Sequence, residues 1–201
     1  MTVLRPRLRS MFHLALVVLA LSPASPGRAQ ESTVQLDPSQ AQVGFTLGDV
    51  LHTVHGMFKL KRGNIKFDPA TGQASGLVVV DATSGDSGGH ARDRKMHKEI
   101  LESAQYPEIT FTPQHVQGQV AAQGASQVQV LGVFNLHGTD HPLTLTVQVH
   151  VAGNQVTADM HFTIPYVSWG LKNPSTFILR VNDNVDINIH AEGRIQAPAT
   201  H

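Results

Sequence analysis

Hydrophobicity in this chain repeats with a period of two. Val43, Phe45 and Leu47 alternate with Gln42, Gly44 and Thr46. Leu143, Leu145, Val147, Val149 and Val151 alternate with Thr144, Thr146, Gln148 and His150, and Val185, Ile187, Ile189 and Ala191 with Asn184, Asp186, Asn188 and His190. Successive side chains of a strand point to opposite faces, so each stretch reads as a strand with one buried and one wet face. Weaker alternation covers 56–67, 76–83, 107–117, 127–137 and 155–163. Gly, Asn, Asp and Pro punctuate the chain at 68–72, 118–124, 138–142 and 153–154. The pattern predicts about eight antiparallel strands in one all-β domain, with no internal repeat. Such strands bury their apolar face by packing two sheets or by closing into a barrel, and closure also removes exposed edges. A barrel of eight strands holds side chains or one small ligand. Period alone leaves sandwich and barrel both open.

One segment departs from this rhythm. Ala91 to Ser103 reads as a short helix, with Met96 and Ile100 four apart and able to pack on the body, and Arg92, Arg94, Lys95, Lys98 and Glu99 solvated. Asp93 is expected near the helix start, where the dipole and free N–H groups favour a carboxylate. Arg92 is expected to pair with a nearby carboxylate and pin the helix over one end of the body, contact with a ligand head group being the alternative. Tyr106-Pro107 then opens a strand, since proline fixes φ and stops the helix.

Before the helix, Gly85-Asp86-Ser87-Gly88-Gly89 spells the nucleophile loop of chymotrypsin-like serine proteases. A serine nucleophile needs a histidine base and an acid that orients it. In that family both precede a serine that comes late in the chain. Here Ser87 lies in the first half, and the upstream His52 and His55 sit in an unrelated Leu-His-Thr-Val-His-Gly context. The chain has no cysteine for the disulfides of those proteases. The stretch reads as a turn in which Gly and Ser supply positive φ and local hydrogen bonds.

The N-terminus reads as a secretory signal peptide, residues 1–29. Arg5, Arg7 and Arg9 precede an apolar run from Met11 to Leu21, and Gly27-Arg28-Ala29 places small residues at a cleavage site, with Ala24 as another. The run is shorter than the roughly 20 residues that span a bilayer. No second long apolar run follows, so residues 30–201 are expected to form a single exported domain without a transmembrane segment, periplasmic or extracellular. Without cysteine, no lipoprotein anchor and no disulfide is expected, and stability must come from the core. Removing residues 1–29 takes four of the 15 basic residues and none of the 15 acidic ones, leaving 11 − 15 = −4. That balance argues against a nucleic-acid partner, whose binding relies on clustered Lys and Arg.

The order of motifs resembles the YceI-like polyisoprenoid-binding family. Arg92-Asp93 leads a helix followed by Tyr-Pro-Glu-Ile-Thr-Phe (106–111). Val43 to Phe45, Val54 to Phe58, Val130 to Gly138, Ser168 to Asn173 and Asp183 to Gly193 fit in the same order, so the resemblance covers nearly all of 33–195. Thr139-Asp140-His141 and the histidines near 52–55 depart from the family's usual residues. The resemblance implies a lipocalin-like eight-stranded antiparallel barrel, with one short helical segment and a long apolar cavity for an isoprenoid or quinone tail.

A continuous apolar interior is enough to hold such a tail, at about 25 cal/mol per Å² removed from water. The candidate liners are Phe45, Phe58, Val79, Phe111, Phe134, Leu145, Met160, Phe162, Trp169 and Ile187, each also readable as ordinary core. Arg92, Asp93, Tyr106 and Pro107 form the structural motif. The leading expectation is an exported, non-enzymatic binder of an amphiphilic lipid with no required cofactor, acting as a carrier or by sequestration. Oligomeric state stays open, a dimer included. Twelve histidines, with pairs at 52/55 and 137/141 and His90 and His97 around the Arg-Asp motif, make a metal-binding protein or metal-assisted enzyme the alternative. A third is an interaction module with a filled β-sandwich core. In the strands His150, His161 and His190 take polar alternate positions and are expected to face solvent. No catalytic carboxylate pair, phosphate loop or dinucleotide fingerprint is present.

Overall fold

A computed structural model describes residues 31–48, 52–176 and 180–196, so the expected signal segment lies outside the described residues. Eight antiparallel strands follow one another around a closed barrel: β1 (Ser32–Gly48), β2 (Thr53–Phe67), β3 (Ala74–Asp86), β4 (Glu108–Gln117), β5 (Gly124–Leu136), β6 (Thr139–Ala152), β7 (Gln155–Ile164) and β8 (Val185–Gln196). β8 pairs with β1, from Thr33↔Gln196 to Thr46↔Asp186, which closes the sheet and decides for a barrel over a sandwich.

Closure needs curvature, and bulges provide it. The β1 register slips between Gln35 and Val43 against β2 and between Leu36 and Ala41 against β8. Within that stretch Pro38 has no N–H to donate to either neighbour. The Asp37 carboxylate accepts from the amide and hydroxyl of Ser39, at 2.9 and 2.7 Å, and so holds the kink. The β3–β4 seam is the shortest: four pairs, Val78–Asp81 against Phe111–Glu108.

In an up-and-down barrel alternate connections share an end. The β3–β4, β5–β6 and β7–β8 connections therefore gather at one rim, together with the start of β2. The β3–β4 connection carries helix α1 (His90–Lys95), continued by a π-helical turn, Met96–Ile100, rather than by regular α-helix to Ser103. The wider turn follows from its anchors: the Leu101 amide donates to Met96 O, and the His97 ring bridges Gly85 O (2.9 Å) and Ser103 Oγ (3.0 Å).

The β5–β6 connection is a two-residue turn with positive φ at both positions, 54° at His137 and 75° at Gly138, the type I′ geometry that suits strand twist. Tyr106 covers it. Its ring lies 4.2 Å from that of His137, and His137 Nε2 sits 2.8 Å from Glu102 Oε2, where the helical segment ends with φ 45°. Pro107 O accepts from the Ala82 amide (3.0 Å), so Tyr106-Pro107 fastens β4 to both the turn and β3.

The interior holds three apolar groups of residues. Phe134, Leu136, Ile164, Tyr166 and Leu171 are buried at the rim carrying the helix. Val128, Leu145 and Val147 fill the β5–β6 side, and Leu36, Leu60 and Ala191 the β1–β2–β8 side. A Cβ at residue 138 would come within 2.7 Å of the Tyr106 ring at an already left-handed φ. Gly138→Ala is therefore expected to lower stability by about 1–3 kcal/mol in urea denaturation, and a variant as stable as wild type would show that Tyr106 does not clamp the turn.

Candidate functional site

Beneath the helical segment the barrel is hollow. A cavity of about 550 Å³ is walled by Val43, Phe45 and Leu47 of β1, Val54 and Phe58 of β2, Val80 of β3, Phe134 of β5, Phe162 of β7 and Ile187 and Ile189 of β8. Met96 and Ile100 of the helical segment close it above, as expected of that pair, and Tyr166, Leu171, Pro174 and Val181 of the β7–β8 connection close it at the side. Val54, Phe58, Phe162 and Ile187 point inward yet are only partly buried, because they face empty space instead of packed neighbours.

Two glycines make this wall possible. A Cβ on Gly56 would lie 2.2 Å from the Phe45 ring, and one on Gly85 would lie 2.5 Å from the Phe58 ring and 2.8 Å from the Met96 methyl. The rings of Phe45 and Phe58, 5.2 Å apart, therefore lie over bare backbone.

Of the ten apolar residues singled out from sequence, Phe45, Phe58, Phe134, Phe162 and Ile187 line the cavity, and five do not. Val79 is fully buried but takes the alternate position to Val80, so the inward valine is the next one along. Leu145 and Met160 face the barrel axis farther from the helix, where they pack with Val128 and Val147. Phe111 lies against that packing and against the rim group, over Gly132, whose Cβ would meet its ring at 2.6 Å. Trp169 stacks on His141, rings 3.9 Å apart and 4° from parallel, and its ring lies 5.9 Å from that of Phe134, the cross-strand partner of His141. Alternation fixes the face a side chain takes but not its depth along the axis, and the cavity lies in the half nearer the helix.

The polar edge of the cavity is built by Ser87. The Asp93 carboxylate accepts from the Ser87 amide (3.0 Å) and hydroxyl, while Arg92 donates from Nε to Ser87 Oγ (2.7 Å) and from Nη2 to Ser87 O (2.7 Å). One of the two expected roles changes. Asp93 lies in the first turn of α1, as expected, and its carboxylate reaches back four residues and more to the backbone N–H groups of Gly89 and Ser87, although the N-cap residue, Gly89, itself has no capping side chain. Arg92, by contrast, holds Ser87 rather than a carboxylate. The Gly-Asp-Ser-Gly-Gly stretch is a turn, and its serine ties the helix to β3. Ser87, Arg92 and Lys95 all line the cavity, and Lys95 Nζ donates to Pro174 O (3.1 Å), linking the helix to the β7–β8 connection. Burial pushes the Asp93 carboxyl up, but the Ser87 hydroxyl and amide and the Arg92 charge outweigh it and hold the group below the usual carboxylate range. Tyr166 donates to Asn182 O at 2.7 Å, and burial, helped by the Asp183 charge, pushes its pKa up to about 12.

The histidines are dispersed. His161 sits 2.8 Å from Asn188 Oδ1, and His190 2.6 Å from Asp159 Oδ1, a bond that raises the His190 pKa. Both line a separate, more open hollow of about 630 Å³ on the outer face. His55 pairs with Thr46 (3.1 Å), and His97 uses both ring nitrogens within the helical connection. Among the described residues no three His, Asp or Glu side chains converge in a way that could hold a metal ion. No described helix is long and apolar enough to cross a membrane.

Residues 34–193 match the family model of the YceI-like domain. The chain belongs to the YceI-like family. A UPF0312 protein of Pseudomonas savastanoi pv. phaseolicola is 28% identical over 196 residues, covering 91% of this chain and 98% of the relative. Among solved structures, BcnA of Burkholderia cenocepacia matches with a TM-score of 0.63 and 22% identity, over 78% of this chain and 98% of BcnA. A polyisoprenoid-binding domain from Saccharophagus degradans matches with a TM-score of 0.61 and 15% identity, over 82% and 98%. These likenesses establish that the YceI-like barrel is shared.

Two measurements probe this geometry. Phe134 is buried and Phe58 faces the void, so Phe134→Ala should cost about 3–5 kcal/mol and Phe58→Ala under about 2. Equal losses in urea titrations would mean that the cavity is filled. A carboxylate with a depressed folded pKa stabilises above its unfolded value, a contribution lost as pH falls through the folded one. Asp93→Asn should therefore lower the denaturation midpoint at pH 7, with the gap to wild type closing below about pH 4. Identical midpoints at neutral pH would reject the Ser87–Asp93 tie.

Proposed function

We propose that the protein binds a single amphiphilic lipid of isoprenoid or quinone type, its tail in the barrel cavity, and acts by carrying or sequestering it without covalent chemistry. The observation that carries this reading is the set of inward apolar side chains left partly uncovered around the cavity. A soluble core of this size is expected to bury such groups, so their exposure marks space for an apolar guest. A tail burying about 400 Å² there would gain about 10 kcal/mol before the cost of immobilising it. Family membership and the barrel shared with a polyisoprenoid-binding domain support the same reading. The metal-based alternative draws no support from the dispersed histidines.

We further take the basic, apolar and small-residue order of residues 1–29 to direct export to the periplasm or beyond. Cell fractionation of the full chain against a chain lacking 1–29 tests it, and equal distribution of the two would reject the leader. For the ligand, native mass spectrometry of protein purified without detergent, followed by organic extraction, should reveal a stoichiometric isoprenoid or related lipid. Paired Phe45→Ala and Phe58→Ala substitution should reduce its retention while the far-ultraviolet spectrum stays that of a β-barrel. A clean apo mass, with added quinones and polyprenyl lipids also failing to bind, would overturn the proposal.

A further inference from the structure

The outer hollow of about 630 Å³ has no part in the lipid-binding reading. Its floor is two cross-strand rows on the outer face of the sheet. One runs Met57, Gly44, Asn188, His161 across β2, β1, β8 and β7; the next runs Gln42, His190, Asp159, Gln148 across β1, β8, β7 and β6. Three strand spacings make each row about 14 Å long. The floor dips at Gly44. A Cβ there would meet nothing closer than Asn188 O at 3.5 Å and Met57 Sδ at 3.6 Å, which are ordinary contacts. Packing therefore does not require the glycine, yet its bare backbone leaves room beside Met57, a side chain 45% exposed.

The polar groups on this floor are mixed in kind and nearly balanced in charge. No Lys or Arg is among the described lining residues, and their one carboxylate, Asp159, accepts from His190 Nδ1 through Oδ1 (2.6 Å). Asn188 Oδ1 is taken by His161 and Gln148 Nε2 by Gln127. Asn188 Nδ2, Asp159 Oδ2, the Gln148 carbonyl and both ends of the Gln42 amide make no hydrogen bond among the described residues, so donors and acceptors stand open side by side. An anion finds no cation here except His190, which Asp159 already holds. An apolar guest would strip these groups of water without replacing it. Strand addition by a peptide is closed off because the barrel has no edge. A neutral hydroxyl fits, since it donates to a carboxylate or carbonyl and accepts from an amide at once.

We propose that the outer hollow is a second binding site, for a short neutral oligosaccharide. The C–H face of one sugar ring lies over the bare backbone of Gly44 and the Met57 thioether, and the hydroxyls bond to Asn188, Asp159 and Gln42. The site shares no side chain with the inner cavity except Ile189, which sits on the strand between them, so the two ligands bind on opposite faces of one wall.

The test is calorimetric titration of the full chain with neutral trisaccharides of glucose, xylose, galactose and N-acetylglucosamine, with trigalacturonic acid as the charged control. At least one neutral trisaccharide is expected to bind with a Kd in the range of about 10 μM to 1 mM, and the charged one about tenfold more weakly or not at all. Asn188→Ala should weaken the neutral sugar about tenfold. Gly44→Ala raises the floor within ordinary contact distances, so it should weaken binding about fivefold or more while the urea midpoint stays at or above that of the wild type. If no neutral trisaccharide binds at about 5 mM, or if trigalacturonic acid binds as tightly, the proposal is overturned. Wild-type affinity in both Asn188→Ala and Gly44→Ala would overturn it as well, by placing the sugar elsewhere. None of these results bears on the lipid in the inner cavity, whose own test is separate.

Discussion

Ten residue pairs zip β8 to β1, and that seam leaves the sheet without an edge. An open sheet of the same strands would have to bury its apolar face on a second layer, and the interior would then be solid. A closed ring of eight instead encloses a volume set by strand number and tilt, which side chains fill only where enough of them are long. Around Val128, Leu145 and Val147 they are. Toward the helix, Gly56 and Gly85 contribute no side chain at all, and the remaining wall residues do not meet across the axis. The hollow follows from closure plus a shortage of atoms at one end.

The fold was legible because its cause is local. Each of the eight strands declares itself by alternation over part of its length, and most turns by punctuation, although Thr139 to Pro142, read as punctuation, open β6, and the first half of β1 gave no signal. The site was only half legible. Phe45, Phe58, Phe134, Phe162 and Ile187 follow from alternation and size, and they do line the cavity. Met160 and Leu145 obey the same rule and do not, since depth along the axis is set by strand tilt and by bulges such as the one between Gln35 and Val43. Val79 failed for a simpler reason: in a run of three valines the alternation has no polar partner to set its phase. Ser87 was read as turn material, which it is, but its role in holding both Arg92 and Asp93 depends on a helix folding back over β3, which local spacing does not specify.

Charge is distributed in a way that suits a barrel open at one rim. The outer wall carries short polar ladders across strands, such as Thr163 to Asp186 and Asn135 to Asp140, both 2.6 Å. They satisfy side chains without adding charge to the interior. At the rim the pattern changes, because Glu102, His137 and Tyr106 fasten the end of the helical segment to the β5–β6 turn, while its beginning is fastened to β3 through Ser87. The segment is thus held at both ends, with its middle, Lys95 to Ile100, spanning the opening.

That span belongs to the connection across the seam with the fewest ladder pairs in the barrel, the four between β3 and β4. Beyond Asp81 the rim half of β3 pairs with β2 only at Met57↔Asp86, helped by the Lys59 amide donating to Ser84 Oγ (2.8 Å), and on the other side it keeps only the Ala82 amide bond to Pro107 O (3.0 Å). Parting the wall there breaks fewer backbone bonds than parting it anywhere else. Amide exchange should therefore be uneven, fast through residues 82–105 and slow along β5 and β6, with the remaining seams still closed when this one parts.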